Sequence, residues 1–494
     1  MTTKLSLATL QEIAKTAGVP AYDRSGLTAG IVHFGVGNFH RAHQAVYLDD
    51  LFNLGEDHDW AIFGAGVLPS DAAMREKLAG QDFLTTVVEQ DNNRSGARVT
   101  GAMIDYLAPG DAAATIARLA DPAIRIVSLT ITEGGYFIDP ASGVFDPAHP
   151  AIAADAADPA NPKTVFGLIL AGLKARRDKS IPPFTVMSCD NIPGNGEVTH
   201  AAVSGLARLS DAALADWIDT NVAFPNGMVD RITPATGPRE IGIVADDYGI
   251  DDAWPVFCEA FKQWVLEDRF PQGRPALEKV GVQFVPDVAP YEHMKIRILN
   301  GGHAAIAYPA ALLDIHFVHE AMEDADIRAF LAKLEKDEII PVIPPVPDTD
   351  LDAYFDLIER RFSNPKIADT IPRLAQDGSN RQPKFILPST ADRLARGDDV
   401  VGLSLVSALW CRYLEGTSDS GRAIAFNDPN IDRIHPAAKA AKDDPAAFLA
   451  LSDIFGEVAA SDLFRRRFAH ALKTLWEKGT RATLRLYLNG ELAA

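Results

Sequence analysis

The chain has 494 residues, 47% of them hydrophobic and 23% charged, which is more than one ordinary core requires and predicts two large domains with room for a buried site. A net charge of −20 repels nucleic acid and anionic membranes, no apolar run reaches the ~20 residues that span a bilayer, and the start lacks the apolar core of a secretory signal. The expectation is a cytoplasmic protein without nucleic-acid or membrane partners, whose three cysteines, odd in number, widely spaced and lacking any C-x-x-C, are reduced packing residues.

To about residue 280, short apolar β-rich runs alternate with helical stretches, the pattern of a parallel sheet covered by helices. Strands are predicted at 30–34 (GIVHF), 60–64 (WAIFG), 125–130 (RIVSLT) and 184–188 (FTVMS), with crossover helices at 112–119 and 165–177. The Ala/Asp/Pro-rich stretch 151–162 reads as exposed loop, and the Pro- and Gly-rich segments 221–238 and 285–291 as loop or linker. Placing the boundary at the last of these gives an α/β domain over 1–287 and a mainly helical domain over 288–494. Helical periodicity in the second is clearest at 316–336 and 453–476, with a proline-rich break at 340–348.

Directly after the first strand comes Gly35-Val36-Gly37-Asn38-Phe39-His40-Arg41, followed by a helical pattern over 42–54. Strand, G-x-G turn and helix bring main-chain amides and a helix N-terminus to a pyrophosphate, so these seven residues are candidates for binding a dinucleotide. His40 occupies the place of the fingerprint's third glycine, and a plain structural turn is the competing interpretation. Cofactor choice is set at the end of the second strand. There, 66–71 offers no Lys or Arg before Arg75 to pair with a 2′-phosphate, which favours NAD without excluding NADP. The nearest carboxylate, Asp71, lies later than the fingerprint's acid.

The densest polar constellation is 291–303, Tyr291-Glu292-His293-Met294-Lys295-Ile296-Arg297-Ile298-Leu299-Asn300-Gly301-Gly302-His303. In an α-helix Lys295, Asn300 and His303 fall within a sector of about 140° and can converge on one small molecule. The Gly301-Gly302 pair costs about 2 kcal/mol of helix propensity, a penalty that suits close approach of something to the backbone. Oxidising a secondary alcohol needs a base for the proton and donors for the oxygen as its charge grows. A lysine is such a base once burial or nearby cations lower its pKa from about 10.4 toward neutrality. Neutral amides, here Asn300 and the strand-end Asn191, are suitable oxyanion donors. A solvated surface lysine and a structural histidine are the bland alternatives. The spacing Tyr291-x3-Lys295 also matches the Tyr/Lys pair of short-chain dehydrogenases, but that pair belongs inside the nucleotide-binding domain.

With G-V-G-N-F-H-R-A-H over 35–43, T-E-G-G-Y over 132–136, S-C-D-N over 188–191, F-P-N-G-M-V-D-R over 224–231, and Lys295-x4-Asn300-x2-His303, the chain resembles the polyol-specific long-chain dehydrogenase family along nearly its whole length. The resemblance implies a Rossmann-type N-terminal domain, a mainly α-helical C-terminal domain, a monomer, and an interdomain site that works without zinc. It implies Lys295 as general acid/base, Asn191 and Asn300 as the oxyanion-stabilising pair, and His303 as a substrate-orienting residue. Asp230, Arg373 and Arg381 are the implied contacts to substrate hydroxyls; Glu292 relays protons to solvent and Glu133 assists. The chain departs from the family near Pro69, where relatives often carry an acid. The implied activity is NAD-dependent oxidation of a sugar alcohol to its ketose, D-mannitol to D-fructose in the first instance, with arabinitol and sorbitol as further substrates. A sugar-acid reductase of the same family acting on fructuronate, and a non-enzymatic dinucleotide-binding protein, are the alternatives. A zinc-dependent polyol dehydrogenase is disfavoured by the missing ligand spacing.

Overall fold

In the computed structural model, which describes residues 2–139 and 143–493, the chain divides into two compact units, Met1–Ala289 and Pro290–Ala494. The first is built on five parallel strands: β1 (Ala29–Phe34), β2 (Ala61–Ala65), β3 (Met103–Tyr106), β4 (Ile126–Leu129) and β5 (Thr185–Ser188). Their order, β3-β2-β1-β4-β5, reverses direction between β1 and β4. The carboxyl ends of those two strands therefore flank the crevice where doubly wound sheets take ligands.

β1, β2, β4 and β5 bury both faces, which is why they read as continuous apolar runs, whereas β3 leaves Ile104 and Asp105 half-buried. Val32 and Phe34 of β1 join Val127, Leu129 and Val186 and the helical residues Phe166, Ile169 and Leu173 on one side of the sheet. Ile31 joins Ile62, Ile126 and Met187 and the helical Leu48, Leu51 and Phe52 on the other. The alternation is the period-two geometry of a strand. The crossover helices are Ala112–Leu119, capped by Asp111, and Val165–Asp178, capped by Thr164.

Three expectations need correction here. The stretch 151–162 is not all loop: a helix runs Pro150–Ala157, with proline in its first turn and Ile152 and Asp155 buried. The Asp155 carboxylate accepts the amides of Lys163 (2.7 Å) and Thr164 (2.9 Å) and the Thr164 hydroxyl (2.7 Å), tying this helix to the start of the next. Within 221–238, Gly227–Asp230 is a buried strand, antiparallel to Gln263–Glu267. The first unit also contains two three-stranded sheets outside the parallel one, Val256–Glu259/Thr85–Gln90/Ser95–Thr100 and Gln283–Val285/Gln263–Glu267/Gly227–Asp230. The helix expected over 42–54 is interrupted at His43, giving Asn38–Ala42 and Gln44–Asn53.

The second unit is helical. Its centre is Gly301–Leu312, buried along most of its length, against which Ile371–Ala375 and Val401–Tyr413 pack. Val401–Tyr413 runs in turn along the terminal helix Asp462–Leu488, which bends at Gly479 (φ +79°). The stretch 316–336 is two helices, Val318–Glu323 and Ala325–Leu334, because the Asp324 carboxylate takes the amides of Asp326 and Ile327 and starts a new helix. Likewise 453–476 begins in a short helix, Ser452–Phe455, before Ser461 caps the long one. Among the described residues no helix is long and apolar enough to cross a membrane, and Cys189, Cys258 and Cys411 are buried free thiols.

Candidate active site

The glycine turn sits at the carboxyl end of β1. Gly35 has φ +91°, and a Cβ on it would lie 2.0 Å from the Thr130 carbonyl oxygen, so no other residue fits. The Gly37 amide donates to the Gly35 carbonyl at 2.7 Å, and a Cβ on Gly37 would meet nothing nearer than 3.9 Å. Space beside that backbone is therefore clear, as a pyrophosphate requires.

Support comes from below. The Thr130 hydroxyl donates to the Gly35 carbonyl (2.6 Å), and His33 Nε2 lies 2.9 Å from that hydroxyl. His40, where a third glycine was expected, stacks its ring on that of His33 at 3.5 Å. Burial pushes the His33 pKa down to about 3 and that of His40 well below its ordinary value, so the stacked pair is neutral. Asn38 and Arg41 anchor the turn. The Asn38 amide donates to the Pro234 carbonyl and the Thr236 hydroxyl, and the buried Arg41 guanidinium to the Trp254 carbonyl (2.5 Å), the Asn38 Oδ1 (2.9 Å) and the Gly37 carbonyl. Val36 is buried in the core, and Phe39 stacks on His43. Beyond β2, the Asp71 carboxylate accepts the amides of Val67 and Leu68, both at 2.8 Å.

Asn191 follows β5 by three residues and is exposed; Glu133 is exposed in the turn Glu133–Tyr136 beyond β4. Asp230 ends its strand, buried. Sequence reasoning missed what joins them. The Asn195 amide donates to the carbonyls of Asp190 (3.0 Å) and Gly227 (2.8 Å), linking the Asn191 loop to the Asp230 strand. The neighbouring Asp190 carboxylate holds the turn that carries Glu133. A polar residue just after a strand was the available signal for Asp190, and Asn195, the first residue of the helix Asn195–Ser210, carried none.

In the second unit Glu292 lies on the helix Ala289–Met294, but Lys295–Asn300 is a π-helical segment inserted before Gly301–Leu312. The α-helical sector drawn from the sequence therefore does not apply. In an α-helix five residues carry a side chain about 140° round, whereas bonds closing from i to i+5 set residues five apart on nearly one face. Lys295 and Asn300 share a face for this reason, and Lys295 is buried at 6% exposure. The Gly301-Gly302 pair is also accounted for: a Cβ on Gly301 would lie 3.2 Å from the Phe385 carbonyl oxygen, and one on Gly302 3.3 Å from Glu335 Oε1. The close approach is made by the chain itself.

His303 stacks on Phe362 at 4.1 Å. Burial pushes its pKa down to about 3; the charge of Asp369 opposes this, while those of Arg373, Arg361 and Arg381 reinforce it. Arg373 forms a two-pronged pair with Asp369, and Arg381 donates to the Leu374 carbonyl (2.7 Å). The buried Asn300 Oδ1 and His303 Nε2 have no hydrogen-bond partner among the described residues, and a ligand rich in hydroxyl groups would supply one. Among the described residues no group of three or more His, Cys, Asp or Glu side chains is placed to hold a metal ion.

A doubly wound sheet whose switch point holds a glycine turn open to a pyrophosphate, in a chain that also buries a lysine five residues before Asn300, defines a dinucleotide-dependent oxidoreductase. Residues 29–279 match the family model described as Mannitol dehydrogenase Rossmann domain, and 287–476 that described as Mannitol dehydrogenase C-terminal domain. The chain belongs to the mannitol dehydrogenase family and is an enzyme of the polyol dehydrogenase class. It is 62% identical over 470 residues to the mannitol 2-dehydrogenase of Cereibacter sphaeroides, covering 95% of this chain and 98% of that protein. With the mannitol 2-dehydrogenase of Pyricularia oryzae it shares 41% over 501 residues, 99% and 100% of the two chains. Among solved structures, Pseudomonas fluorescens mannitol 2-dehydrogenase in ternary complex with NAD and D-mannitol matches with a TM-score of 0.87 at 45% identity, covering 99% and 100%. A D-sorbitol dehydrogenase in substrate-free form matches with a TM-score of 0.91 at 37% identity, covering 97% and 100%.

Proposed function

We propose that the protein oxidises D-mannitol to D-fructose with NAD as cofactor and Lys295 as general base, without a metal ion. The observation that carries the choice of substrate is the 62% identity, over nearly the full length of both chains, with a mannitol 2-dehydrogenase. NAD is supported by the open Gly35–Gly37 turn and by the ternary complex of the Pseudomonas fluorescens enzyme.

A nicotinamide held beside the turn over 35–41 would supply the hydride acceptor. The protein does the rest. The turn over 35–41 holds the pyrophosphate through main-chain amides. The buried Lys295 amine takes the hydroxyl proton. The amides of Asn191 and Asn300 donate to the oxygen as negative charge develops, a contribution worth on the order of 100-fold per donor. His303, kept neutral, orients the substrate; Asp230, Arg373 and Arg381 engage its remaining hydroxyls. Glu292 passes the proton to solvent, and Glu133 assists.

The test is a panel of D-mannitol, D-sorbitol, D-arabinitol, D-fructose and D-fructuronate, each with NAD or NADP in the matching redox state, followed by the absorbance of the reduced cofactor. D-mannitol and D-fructose with NAD(H) are expected to give the highest kcat/KM. A much larger kcat/KM for fructuronate would make the protein a sugar-acid reductase of the same fold.

A further inference from the structure

Thr132 is the most strained residue near the first unit's site. Its φ of +62° and ψ of +165° fall in a region in which essentially only glycine is at ease, and a β-branched side chain there is a marked outlier. The strain has an identifiable holder. The buried Asp190 carboxylate accepts the amide protons of Thr132 (3.0 Å) and Ile131 (2.9 Å) and the hydroxyl proton of Tyr136 (2.7 Å), while Tyr136 Oη also lies 2.6 Å from Ser188 Oγ. Thr132 immediately precedes Glu133, and Asp190 immediately precedes Asn191.

A clamp that served only to close a turn would need no strained threonine, because Gly134 and Gly135 are already available two and three residues on. Strain retained against a buried, triply bonded carboxylate is what a loop shows when it is fixed for what it presents. What this loop presents is Glu133, whose charge reaches Asp190: after burial, it is among the influences raising the Asp190 pKa.

We propose that Asp190 is a positioning residue of the polyol-oxidising reaction, clamping Thr132 in its strained conformation and thereby fixing Glu133 relative to Asn191. The proposal rests on the roles given to Asn191 and Glu133 under Proposed function. Among the described residues the hydrogen bonds of the Asp190 carboxylate go to Ile131, Thr132 and Tyr136 and none to the 35–37 turn, so its loss is expected to lower kcat far more than cofactor affinity.

The experiment compares Asp190→Ala and Asp190→Asn, each with and without Thr132→Gly, in the full-length enzyme. It measures kcat and KM for D-mannitol at saturating NAD, the NADH Kd by fluorescence, and Tm. Loss of a fixed geometry costs up to about 100-fold, so Asp190→Ala is expected to lower kcat by about 30- to 100-fold with the NADH Kd within about twofold of wild type. Asp190→Asn, which keeps one acceptor oxygen, should lose less. Adding Thr132→Gly to Asp190→Ala should restore at least about fivefold in kcat, because glycine reaches the same φ without a clamp. A kcat within about twofold of wild type in Asp190→Ala, a parallel rise in the NADH Kd, or no recovery on adding Thr132→Gly overturns the proposal. If Asp190→Ala does not fold, the Asp190→Asn pair gives the same comparison. A wild-type enzyme that oxidised no polyol would instead sink the functional assignment on which the clamp depends.

Discussion

The Thr130 hydroxyl and the Gly35 carbonyl are joined at 2.6 Å, with the His33 imidazole 2.9 Å from the one and 3.3 Å from the other. Two strand ends, those of β1 and β4, are thus fastened together at the point where the glycine turn must keep a left-handed φ. Neutral His33 and its stacked partner His40 fill the space beneath. The missing third glycine of the dinucleotide fingerprint is answered by this packing.

Replacing Thr130 with valine removes that bond while preserving shape. A neutral hydrogen bond is worth about 0.5–1.5 kcal/mol, so the NADH Kd is expected to rise by about threefold to tenfold, with kcat at saturating cofactor little changed. Thr130→Ser should bind as wild type. Equal Kd values for the valine and serine variants would show that the bond does not support the turn.

Lys295→Ala should cut turnover sharply and spare cofactor binding. General-base catalysis contributes about 100- to 10,000-fold, and kcat for D-mannitol is expected to fall by that range while NADH titration stays near wild type. A variant that kept wild-type kcat would remove Lys295 from the chemistry.

His43 is buried with its Nε2–H donating to the Gln263 carbonyl at 2.9 Å, and burial pushes its pKa down to about 3. The folded-state pKa lies below the ordinary 6.5, so between about pH 6.5 and 3 the unfolded chain binds the extra proton and this residue's contribution to stability falls as pH falls. The slope is at most about 1.4 kcal/mol per pH unit. His43→Gln should therefore gain on wild type, relative to their difference at pH 7.5, as urea denaturation is repeated at pH 6 and 5. A difference independent of pH would contradict the neutral buried imidazole.

Glu335 predicts the opposite sign. It is fully buried, neither carboxyl oxygen has a hydrogen-bond partner among the described residues, and burial raises its pKa well above the ordinary carboxyl value. A raised folded-state pKa gives stability that is full at acid pH and is lost as pH rises through it. An unsatisfied buried polar group costs about 1–3 kcal/mol, so Glu335→Met should raise stability by that order, and by more at pH 8 than at pH 5. Destabilisation at both pH values would mean that the carboxyl has a role this packing does not reveal.

The parallel sheet was legible because β1, β2, β4 and β5 are buried on both faces and appear as apolar runs such as IVHF and TVMS. The strands Thr85–Gln90 and Ser95–Thr100 escaped notice because threonines, Glu89 and Arg98 break up the apolar signal, and their pairing depends on partners far along the chain. The helix Pro150–Ala157 escaped because part of its buried face is a carboxylate, Asp155, satisfied by distant amides. Lys295, Asn300 and His303 were visible as spacing, but their presentation was not. Whether a helix closes to i+4 or i+5 across 295–300 is decided by packing, and no residue type in the segment announces it. Asp190 was readable only as a polar strand end, since a clamp is defined by what it holds.

Two sulfurs, Cys189 and Cys258, are sealed in the first unit and one, Cys411, in the second. A thiol-reactive dye reaches each only while the surrounding structure is open, so each labelling rate is a clock for local breathing in its own half of the chain. Mass spectrometry of the labelled peptides over a temperature ramp would order the two halves by which loosens first. Cys189, two residues before Asn191, would time the loop that follows β5.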